Sequence, residues 1–256
     1  MGKEHRLAER RQSILAALAQ AGQLSVAELS LRFDVSEVTI RTDLAALNAQ
    51  GLLLRTRGGA LATHVLPELS FDIRQQQNAE NKARIARTAA QLVRDGDTIA
   101  LDASTTALAI IPHIEQLSEL TVVTNSLKAA LWLLRTPHIH VIVPGGHLRR
   151  DSISLVGRSQ CDLLEDIHVR IGFFGARGIT IDEGLTDVNL EEVRTKRRLI
   201  ECCQQVVAVV DSRKWGQVAA STFADLDRID RVITDVGAPK QIVQQLRLHG
   251  VDVVQV

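Results

Sequence analysis

Small polar residues follow several predicted strands in the second half of the chain. "DTIALD" and "LTVVTNS" are short apolar segments that end in hydroxyl, amide or carboxylate side chains. Because ligands of open α/β sheets bind outside the carboxyl ends of the strands, these side chains are expected to meet in one site. A helix that begins at such a point adds free backbone N–H groups and partial positive charge, which suits an anion. The pattern predicts a site for a phosphate group.

The candidate ligand-binding residues follow these strands, later strands of the same kind, or lie in "NLEEVRTKRR". They are Asp102, Ser104, Thr105, Thr106, Thr124, Asn125, Ser126, Gly145, Gly146, Gly175, Arg177, Gly178, Glu192, Lys196, Asp211 and Lys214. Asp102 would repel a phosphate held close but accepts hydrogen bonds from sugar hydroxyls, so a phosphorylated polyol fits better than a nucleotide. Two simpler roles stay open: the hydroxyl runs are also helix caps, and Glu192 with Lys196 also suits a surface pair.

Alternating strands and helices must position these residues. From residue 81 onward the chain repeats the order of apolar strand, polar exit and helix, in "DTIALD", "LTVVTNS", "IHVIVPGG", "RIGFFGARG", "QQVVAVVDS" and "DRVITD". Such alternation predicts an α/β domain with a mostly parallel sheet.

The first 50 residues contain three predicted helices. The second helix is expected to begin after Ser25, and the third to be capped by Ser36. In the third helix Ile40, Leu44 and Leu47 fall on one inward face. The following segment "LLLRTRGGALAT" suits a hairpin with a glycine turn, which completes a winged helix-turn-helix.

This pattern predicts an α+β N-terminal winged helix-turn-helix joined to a larger α/β domain. The predicted domains are residues 1–62 and 81–256, with a linker at 63–80 around Pro67 and three consecutive glutamines. The candidate DNA-binding residues lie on the outward face of the third helix and on the wing. They are Ser36, Glu37, Thr39, Arg41, Thr42, Arg55 and Arg57.

Composition excludes several classes of protein. Net charge is zero and hydrophobic residues make up 45% of 256 residues, which argues against disorder and against a strongly basic coat. Residues 1–60 carry eight basic and six acidic side chains, a weak asymmetry of the sign expected for a DNA-contacting end. Without a signal peptide or an apolar run of membrane length, a soluble cytoplasmic protein with no membrane association is expected.

Cysteine and histidine give little sign of a metal site. Cys161, Cys202 and Cys203 form no metal-binding pair and are expected to be reduced thiols. His138 and His140 alternate with apolar residues as strand positions would, and no third ligand follows at a recognisable spacing. Neither a metal nor a cofactor is expected.

With these residues in place, the chain resembles the DeoR (DeoR/GlpR-type) family of bacterial transcriptional regulators over essentially its whole length. "VSEVTIRTDLAALNAQGLLLRTRGGA" is similar to that family's winged helix-turn-helix. "DGDTIALDASTTALAI", "VPGGHLRRDSISLVG", "EEVRTKR" and "VVDSRKWG" are similar to its sensor domain. The resemblance implies a repressor whose sensor domain is related in fold to ribose-5-phosphate isomerase and binds a phosphorylated sugar. We expect it to bind a double-stranded DNA operator as a homo-oligomer, a dimer or a tetramer.

Three positions depart from the family pattern. The family usually has a second arginine where this chain has Thr42, and histidine where it has Arg57. Many members have glycine in place of Ala103. Because of Thr42 and Arg57, the operator sequence of a relative does not carry over to this chain, whereas Ala103 bears on the predicted phosphate loop.

The competing hypothesis is a working sugar-phosphate isomerase with an appended DNA-binding domain, and thus an enzyme. Isomerisation needs a positioned general base. In the isomerases that the sensor domain resembles, an acidic pair follows the glycine–alanine turn, whereas here Arg177 and Gly178 follow it. Glu183, Glu192 and Asp211 remain as carboxylates. We expect no catalytic residue. Binding of single-stranded RNA is disfavoured because aromatic residues, which stack on bases, make up only 3% of the chain.

Overall fold

A computed structural model of the chain divides into two units, residues 1–69 and residues 70–256. The structure describes residues 10–11, 13–18, 21–49, 53–56, 58–62, 71–157 and 164–256. Each unit has its own hydrophobic core. No helix among these residues is both long and apolar enough to cross a membrane.

The first unit contains three helical segments and a small sheet. Its helices among the described residues include 13–18, α1 (Val26–Phe33) and α2 (Glu37–Ala49). Its strands are β1 (Gln23–Ser25), β2 (Leu53–Arg55) and β3 (Gly59–Ala62). The strands pair antiparallel in the order β1-β3-β2. The predicted winged helix-turn-helix is confirmed.

Local hydrogen bonds fix where the helices begin and end. Ser25 and Glu28 form a reciprocal capping box at the start of α1. Asp34 takes a left-handed conformation (φ 49°) that ends this helix. Two residues later, Ser36 Oγ accepts from the backbone N–H of Thr39 at 3.2 Å. The turn between the helices is therefore set by short polar side chains.

The inward face of α2 holds the unit together. Ile40, Leu44 and Leu47 are all buried, as the spacing predicted. Beside them the buried carboxylate of Asp43 accepts from Arg10 Nε at 2.6 Å and from Arg11 Nε at 2.9 Å. Thus α2 is fixed to the first helical segment by both packing and charge.

Gly59 of the wing lies against β1 without room for a side chain. A Cβ at this position would lie 2.2 Å from the carbonyl oxygen of Leu24 and 2.7 Å from the Cα of Ser25. Gly59→Ala is therefore expected to lower the free energy of unfolding of the first unit by about 1–3 kcal/mol, the range for an overpacked core. Gly58→Ala is the matched control, since nothing lies within 4 Å of its Cβ position. Urea unfolding followed by circular dichroism tests this; equal losses in both variants would contradict it.

Among its described residues, the second unit contains seven parallel strands and two smaller antiparallel sheets. The parallel strands are β4 (Thr98–Leu101), β5 (Thr121–Thr124), β6 (His140–Ile142), β9 (Val169–Phe174), β12 (Cys203–Val209), β14 (Arg231–Thr234) and β15 (Asp252–Gln255). The antiparallel strands are β7 (His147–Arg149), β8 (Ser154–Val156), β10 (Gly178–Thr180), β11 (Gly184–Asp187) and β13 (Ser221–Ala224). The helices are α3 (Phe71–Gln76), α4 (Ala79–Ala90), α5 (Thr105–Leu108), α6 (Leu127–Leu133), α7 (Leu190–Glu201) and α8 (Lys240–Leu248).

Alternate residues of the large sheet pack into two different cores, as period-two strands require. Ile171 and Phe173 of β9 pack with residues of α4, α5 and α6. Phe174, on the opposite face of the same strand, packs with residues of α7 and α8. The sheet is therefore covered by helices on both faces, the usual setting of an all-parallel sheet.

The strand order of the large sheet is β15-β14-β12-β9-β4-β5-β6. From β4 the chain proceeds to β5 and β6 on one side, and then returns to place β9 on the other side of β4. The order therefore reverses between β4 and β9. Such a reversal opens a crevice at the carboxyl ends of the two strands, which is where open α/β sheets bind ligands.

Three details differ from the sequence prediction. Residues 71–76, within the predicted linker of 63–80, form α3, because Phe71 is buried in the core of the second unit. The last strand, β15, adds an edge to the sheet that the sequence did not indicate. His138 lies in a turn, where its ring nitrogen is 2.8 Å from the carbonyl oxygen of Glu115, and only His140 lies in a strand.

Candidate functional site

The predicted ligand-binding residues after β4 and β9 meet at the crevice between these strands. Asp102 follows β4, and its Oδ2 accepts from the backbone N–H of Gly175, which follows β9, at 3.0 Å. The other oxygen accepts from the N–H of Ser104 at 2.9 Å. Asp102 therefore holds the two strand exits together at the point where the sheet order reverses.

A buried lysine neutralises this junction. Lys196 of α7 is 4% exposed, and its Nζ lies 2.7 Å from Asp187 Oδ2 and 3.0 Å from Asp102 Oδ2. It also donates to the carbonyl of Gly175 at 2.7 Å. Burial alone would lower the pKa of Lys196, but the two carboxylates outweigh burial and raise it. Burial likewise opposes ionisation of Asp187, yet Lys196 holds the pKa of that carboxyl below its ordinary value.

Glu192, one turn before Lys196, binds the β7–β8 hairpin. Its Oε1 accepts from Ser152 Oγ at 2.6 Å and from Ser154 Oγ. Its Oε2 lies 3.4 Å from Asn125 Nδ2, which follows β5. Arg149 of β7 lies 3.5 Å from the same carboxylate. Glu192 and Lys196 are therefore not a surface pair: each binds different strand exits at one edge of the sheet.

The hydroxyl residues of the site have two different roles. Ser104 Oγ accepts from the N–H of Ala107, and Ser126 Oγ accepts from the N–H of Ala129, so both cap helices. By contrast, the hydroxyls of Thr105 and Thr106 make no hydrogen bond within the described part of the chain, although both residues are more than 90% buried.

After β5, Thr124 Oγ1 accepts from the backbone N–H of Ser126 at 3.0 Å. Asn125 beside it is fully buried, and its Oδ1 has no partner among the described residues. Buried polar atoms are usually hydrogen-bonded. A ligand hydroxyl at this place would satisfy Asn125.

Three of the predicted glycines allow other parts of the protein, rather than only a ligand, to come close. A Cβ on Gly175 would lie 2.5 Å from Ser104 Oγ, and one on Gly178 would lie 2.0 Å from the carbonyl oxygen of Gln217. At Gly146 the Cβ would lie 2.4 Å from a backbone oxygen of β8. Gly145 has open space around its Cβ position but a φ of +85°, which favours glycine.

Basic side chains from four parts of the chain gather at the same edge. Burial lowers the pKa of Arg74 to about 10, that of Lys82 to about 7 and that of Lys214 to about 8. In all three the repulsion of neighbouring cations adds to the effect of burial, although nearby carboxylates oppose it. Burial also lowers the pKa of Arg177. Such a basic cluster (Arg74, Lys82, Arg177, Lys214) favours a bound anion, because an anion would restore these pKa values.

Asp211 connects the basic cluster to the chain before α4. It is 1% exposed and accepts from Asn78 Nδ2 at 3.3 Å and from Arg213 Nε at 2.9 Å. Burial opposes ionisation of Asp211, but Arg213, Lys214 and Lys82 keep the pKa of its carboxyl below the ordinary value.

Sequence reasoning missed several residues of the site. They are Arg74, Lys82, Arg149, Ser152, Ser154 and Asp187. Arg149, Ser152 and Ser154 stand in the quoted "VPGGHLRRDSISLVG" but follow no parallel strand. For Lys82 a signal existed: it falls at helical spacing with Ile85 and Ala86, which are buried on α4.

The predicted DNA-binding residues of the first unit form an exposed face. Glu37, Arg41 and Thr42 are exposed on α2, and Arg41 Nη2 lies 2.7 Å from Glu37 Oε2. Ser36 Oγ and Thr39 Oγ1 lie 2.9 Å apart at the start of the helix. Arg55 on β2 is exposed, and Arg57 lies outside the described residues.

Comparison with known proteins identifies a family for both units of the chain. The family model of the DeoR-like helix-turn-helix domain matches residues 10–65, and that of the DeoR C-terminal sensor domain matches residues 77–236. The chain belongs to the DeoR family. This DeoR-family protein is a DNA-binding transcriptional regulator, as the resemblance implied.

Relatives of this DeoR-family protein match over nearly their full length. The transcriptional regulator GolR of Listeria innocua serovar 6a is 37% identical over 246 residues, 96% of this chain and 97% of its own. The glycerol-3-phosphate regulon repressor of Escherichia coli K12 is 33% identical over 243 residues, 95% of this chain and 96% of its own. Among solved structures, a D-ribose-5-phosphate isomerase in complex with phospho-erythronic acid is 17% identical, covers 54% of each chain and has a TM-score of 0.40.

Family membership favours the regulator over the isomerase, and so do the remaining carboxylates. Glu192 and Asp211 accept hydrogen bonds from the protein, as described above. Glu183 Oε2 accepts from Thr222 Oγ1 at 3.1 Å. Each of the three candidate bases therefore has a structural partner. Among the described residues no cluster of three or more metal-ligating side chains occurs.

Proposed function

We propose that this DeoR-family regulator represses a carbohydrate catabolic operon, and that a phosphorylated sugar bound in the second unit controls its hold on operator DNA. It acts in the cytoplasm as a homo-oligomer, a dimer or a tetramer. One relative is named a glycerol-3-phosphate regulon repressor, which is consistent with regulation by a small phosphorylated polyol.

The basic cluster at the edge of the sheet is the observation that carries the effector proposal. Four basic side chains have lowered pKa values there, and a dianionic phosphate group would offset the repulsion between them. The helix α3 that carries Arg74 packs against α5, which begins with the unbonded hydroxyls of Thr105 and Thr106. A phosphate group bound by Arg74 could therefore also accept hydrogen bonds from the hydroxyls of Thr105 and Thr106.

We assign the uncharged part of the ligand to the side of the crevice near Asn125, which follows β5. Asn125 offers an Oδ1 that lacks a partner within the described chain, and this oxygen suits a sugar hydroxyl. Gly145, which has open space around its Cβ position, follows the neighbouring strand β6. The donors and acceptors thus favour a molecule with an anionic end and a polyol end.

The DNA-binding half of the proposal assigns α2 to the major groove. Its outward face carries Glu37, Arg41 and Thr42, while Ser36 and Thr39 lie at its N-terminus, where a phosphate of the DNA backbone is favoured. In a symmetric oligomer two such helices would enter successive major grooves about 10 bp apart, or a multiple of that spacing. Arg55 and Arg57 on the wing would contact the backbone or minor groove.

For the ligand to regulate, it must bind the free and DNA-bound forms with different affinity. A coupling of about 1–3 kcal/mol, or roughly 5- to 150-fold in operator affinity, is typical of allosteric proteins. The proposed ligand residues belong to the second unit and the proposed DNA-binding residues to the first, so the coupling must act between the two units.

A panel of phosphorylated sugars tests this proposal. A specific ligand is expected to raise the melting temperature by mass action and to weaken binding to an operator selected from random duplex DNA. Unphosphorylated counterparts and inorganic phosphate are the controls. In Thr105→Val/Thr106→Val, which keeps the shape of both side chains, the ligand response should be lost while operator binding persists. A sugar phosphate that binds tightly yet leaves operator affinity unchanged would refute the mechanism.

A further inference from the structure

The outward face of α2 carries an apolar residue that the fold does not use. Val38 is 69% exposed, whereas the core of the first unit takes Ile40, Leu44 and Leu47 from this helix. A β-branched side chain also loses rotamer freedom in a helix, so valine is not favoured there by helix propensity. Neither packing nor helix stability therefore accounts for Val38.

Thr42, one turn further along, adds a methyl group to the same strip. Its hydroxyl donates to the backbone carbonyl of Val38 at 3.0 Å. That bond turns the hydroxyl toward the helix backbone, and Thr42 is itself exposed. The outward-facing part of this threonine is thus its methyl branch rather than a hydrogen-bonding group.

A charged pair runs beside this apolar strip. Glu37 and Arg41 are also four residues apart, and their side chains are joined at 2.7 Å while each stays about half exposed. The pair holds the guanidinium group at one place on the helix surface. The face of α2 therefore presents two parallel rows, one of charge and one of methyl groups.

We propose that Val38 and Thr42 recognise thymine through its 5-methyl group. The major groove edge of thymine is the one that carries a methyl group, and apolar side chains are its partners in direct readout. Arg41, next to the apolar strip, would bind a neighbouring guanine or phosphate. This inference rests on the proposed entry of α2 into the major groove, and it adds the class of base pair that the helix selects.

Removal of single methyl groups from the DNA tests the inference. The probe is the operator selected by the wild-type protein, in which each thymine is replaced in turn by deoxyuridine. Burial of one methyl group corresponds to roughly three- to fivefold in affinity. One or two thymines per half-site are expected to show that loss for the wild type in fluorescence anisotropy. Val38→Ala should remove the sensitivity at one of these positions, and Thr42→Ser should reduce it at the same or the next position.

Leu31→Ala is the matched control, since Leu31 is 85% exposed on α1 and should leave the deoxyuridine profile unchanged. Circular dichroism of each variant confirms that the helices persist. If Val38→Ala keeps the full wild-type profile, or if no thymine of the selected operator is sensitive, the inference is wrong. If Arg41→Ala and Val38→Ala both bind the unmodified operator as tightly as the wild type, the assignment of α2 to the groove fails instead.

Discussion

Lys82→Met is expected to stabilise the ligand-free protein while weakening its hold on a phosphorylated ligand. Lys82 is 6% exposed, and its Nζ donates to the backbone carbonyl of Arg74. Burial is the main cause that lowers its pKa from 10.5 to about 7; Asp211 opposes this shift, and Arg213, Lys214 and Arg74 act in the same direction as burial. Such a displacement corresponds to a cost of at most ~4 kcal/mol at neutral pH, of which the hydrogen bond returns ~1 kcal/mol. We expect the variant to gain about 1–3 kcal/mol.

The pH dependence of the free energy of unfolding is an independent test of the same prediction. A lysine whose folded-state pKa is lowered binds fewer protons in the folded state than in the unfolded state between about pH 7 and 10.5. The free energy of unfolding of the wild type should therefore rise with pH across this window. Lys82→Met should reduce that slope, and Lys214, whose pKa is lowered to about 8, should account for part of the remainder.

Urea unfolding at pH 7, 8 and 9 measures both effects, with Lys240→Met as the control because Lys240 is exposed on α8. Calorimetric titration with the sugar phosphate found by the panel should show at least tenfold weaker binding to Lys82→Met. A residue that costs stability and contributes affinity is typical of a binding site. A variant that is less stable than the wild type at pH 7 would show that Lys82 is simply a structural cation.

The sequence predicted the parts of the molecule that depend on neighbouring residues. Ile40, Leu44 and Leu47 mark the inward face of α2 by spacing alone, and the strand exits at Asp102 and Asn125 were found because apolar strands end in polar residues. These signals are local. They can be read without knowledge of the fold because helix caps and hydrophobic periodicity depend on residues only a few positions apart.

The rest depends on contacts between distant segments. The sequence around Lys196 does not indicate that this lysine pairs with Asp102 and Asp187. It also does not indicate that Glu192 binds serines from a hairpin some 40 residues earlier. The spacing of Glu192 and Lys196 suits a surface pair equally well. The pairing of β4 with β9 brings Asp102 and Gly175 together at Lys196, whereas the partners of Glu192 come from the β7–β8 hairpin and from Asn125. The short helix at Phe71 was missed for the same reason, since its six polar-rich residues are ordered by burial of one aromatic ring.

Lys196→Met is expected to have the largest effect on stability of any substitution in the second unit. Lys196 is 4% exposed, lies within 3.0 Å of Asp102 and Asp187, and packs 4.6 Å from the ring centre of Phe223. Methionine fills a similar volume but removes the nearest cation from both buried carboxylates, so that among the described residues Asp187 keeps only Arg177, 3.9 Å away. Removal of one partner from a buried ion pair typically costs about 3–5 kcal/mol, and we expect a loss of this size. Lys240→Met, the exposed control, should change stability by less than ~0.5 kcal/mol.

The loss of stability in Lys196→Met should be smaller at low pH. This pH dependence distinguishes the effect of the missing charge from the effect of changed packing. In the wild type the lowered pKa of Asp187 gives stability that is present above pH 4 and disappears as the pH falls through that pKa. In Lys196→Met the same buried carboxyl keeps the more distant Arg177, 3.9 Å away, so its pKa should be higher than in the wild type and the loss of stability should be smaller at pH 5 than at pH 8. Urea unfolding at pH 5 and pH 8 compares the two proteins. Lys196→Met/Asp187→Asn should recover part of the loss at pH 8; a loss that is equal at both pH values and unaffected by the second substitution would mean that Lys196 acts through packing alone.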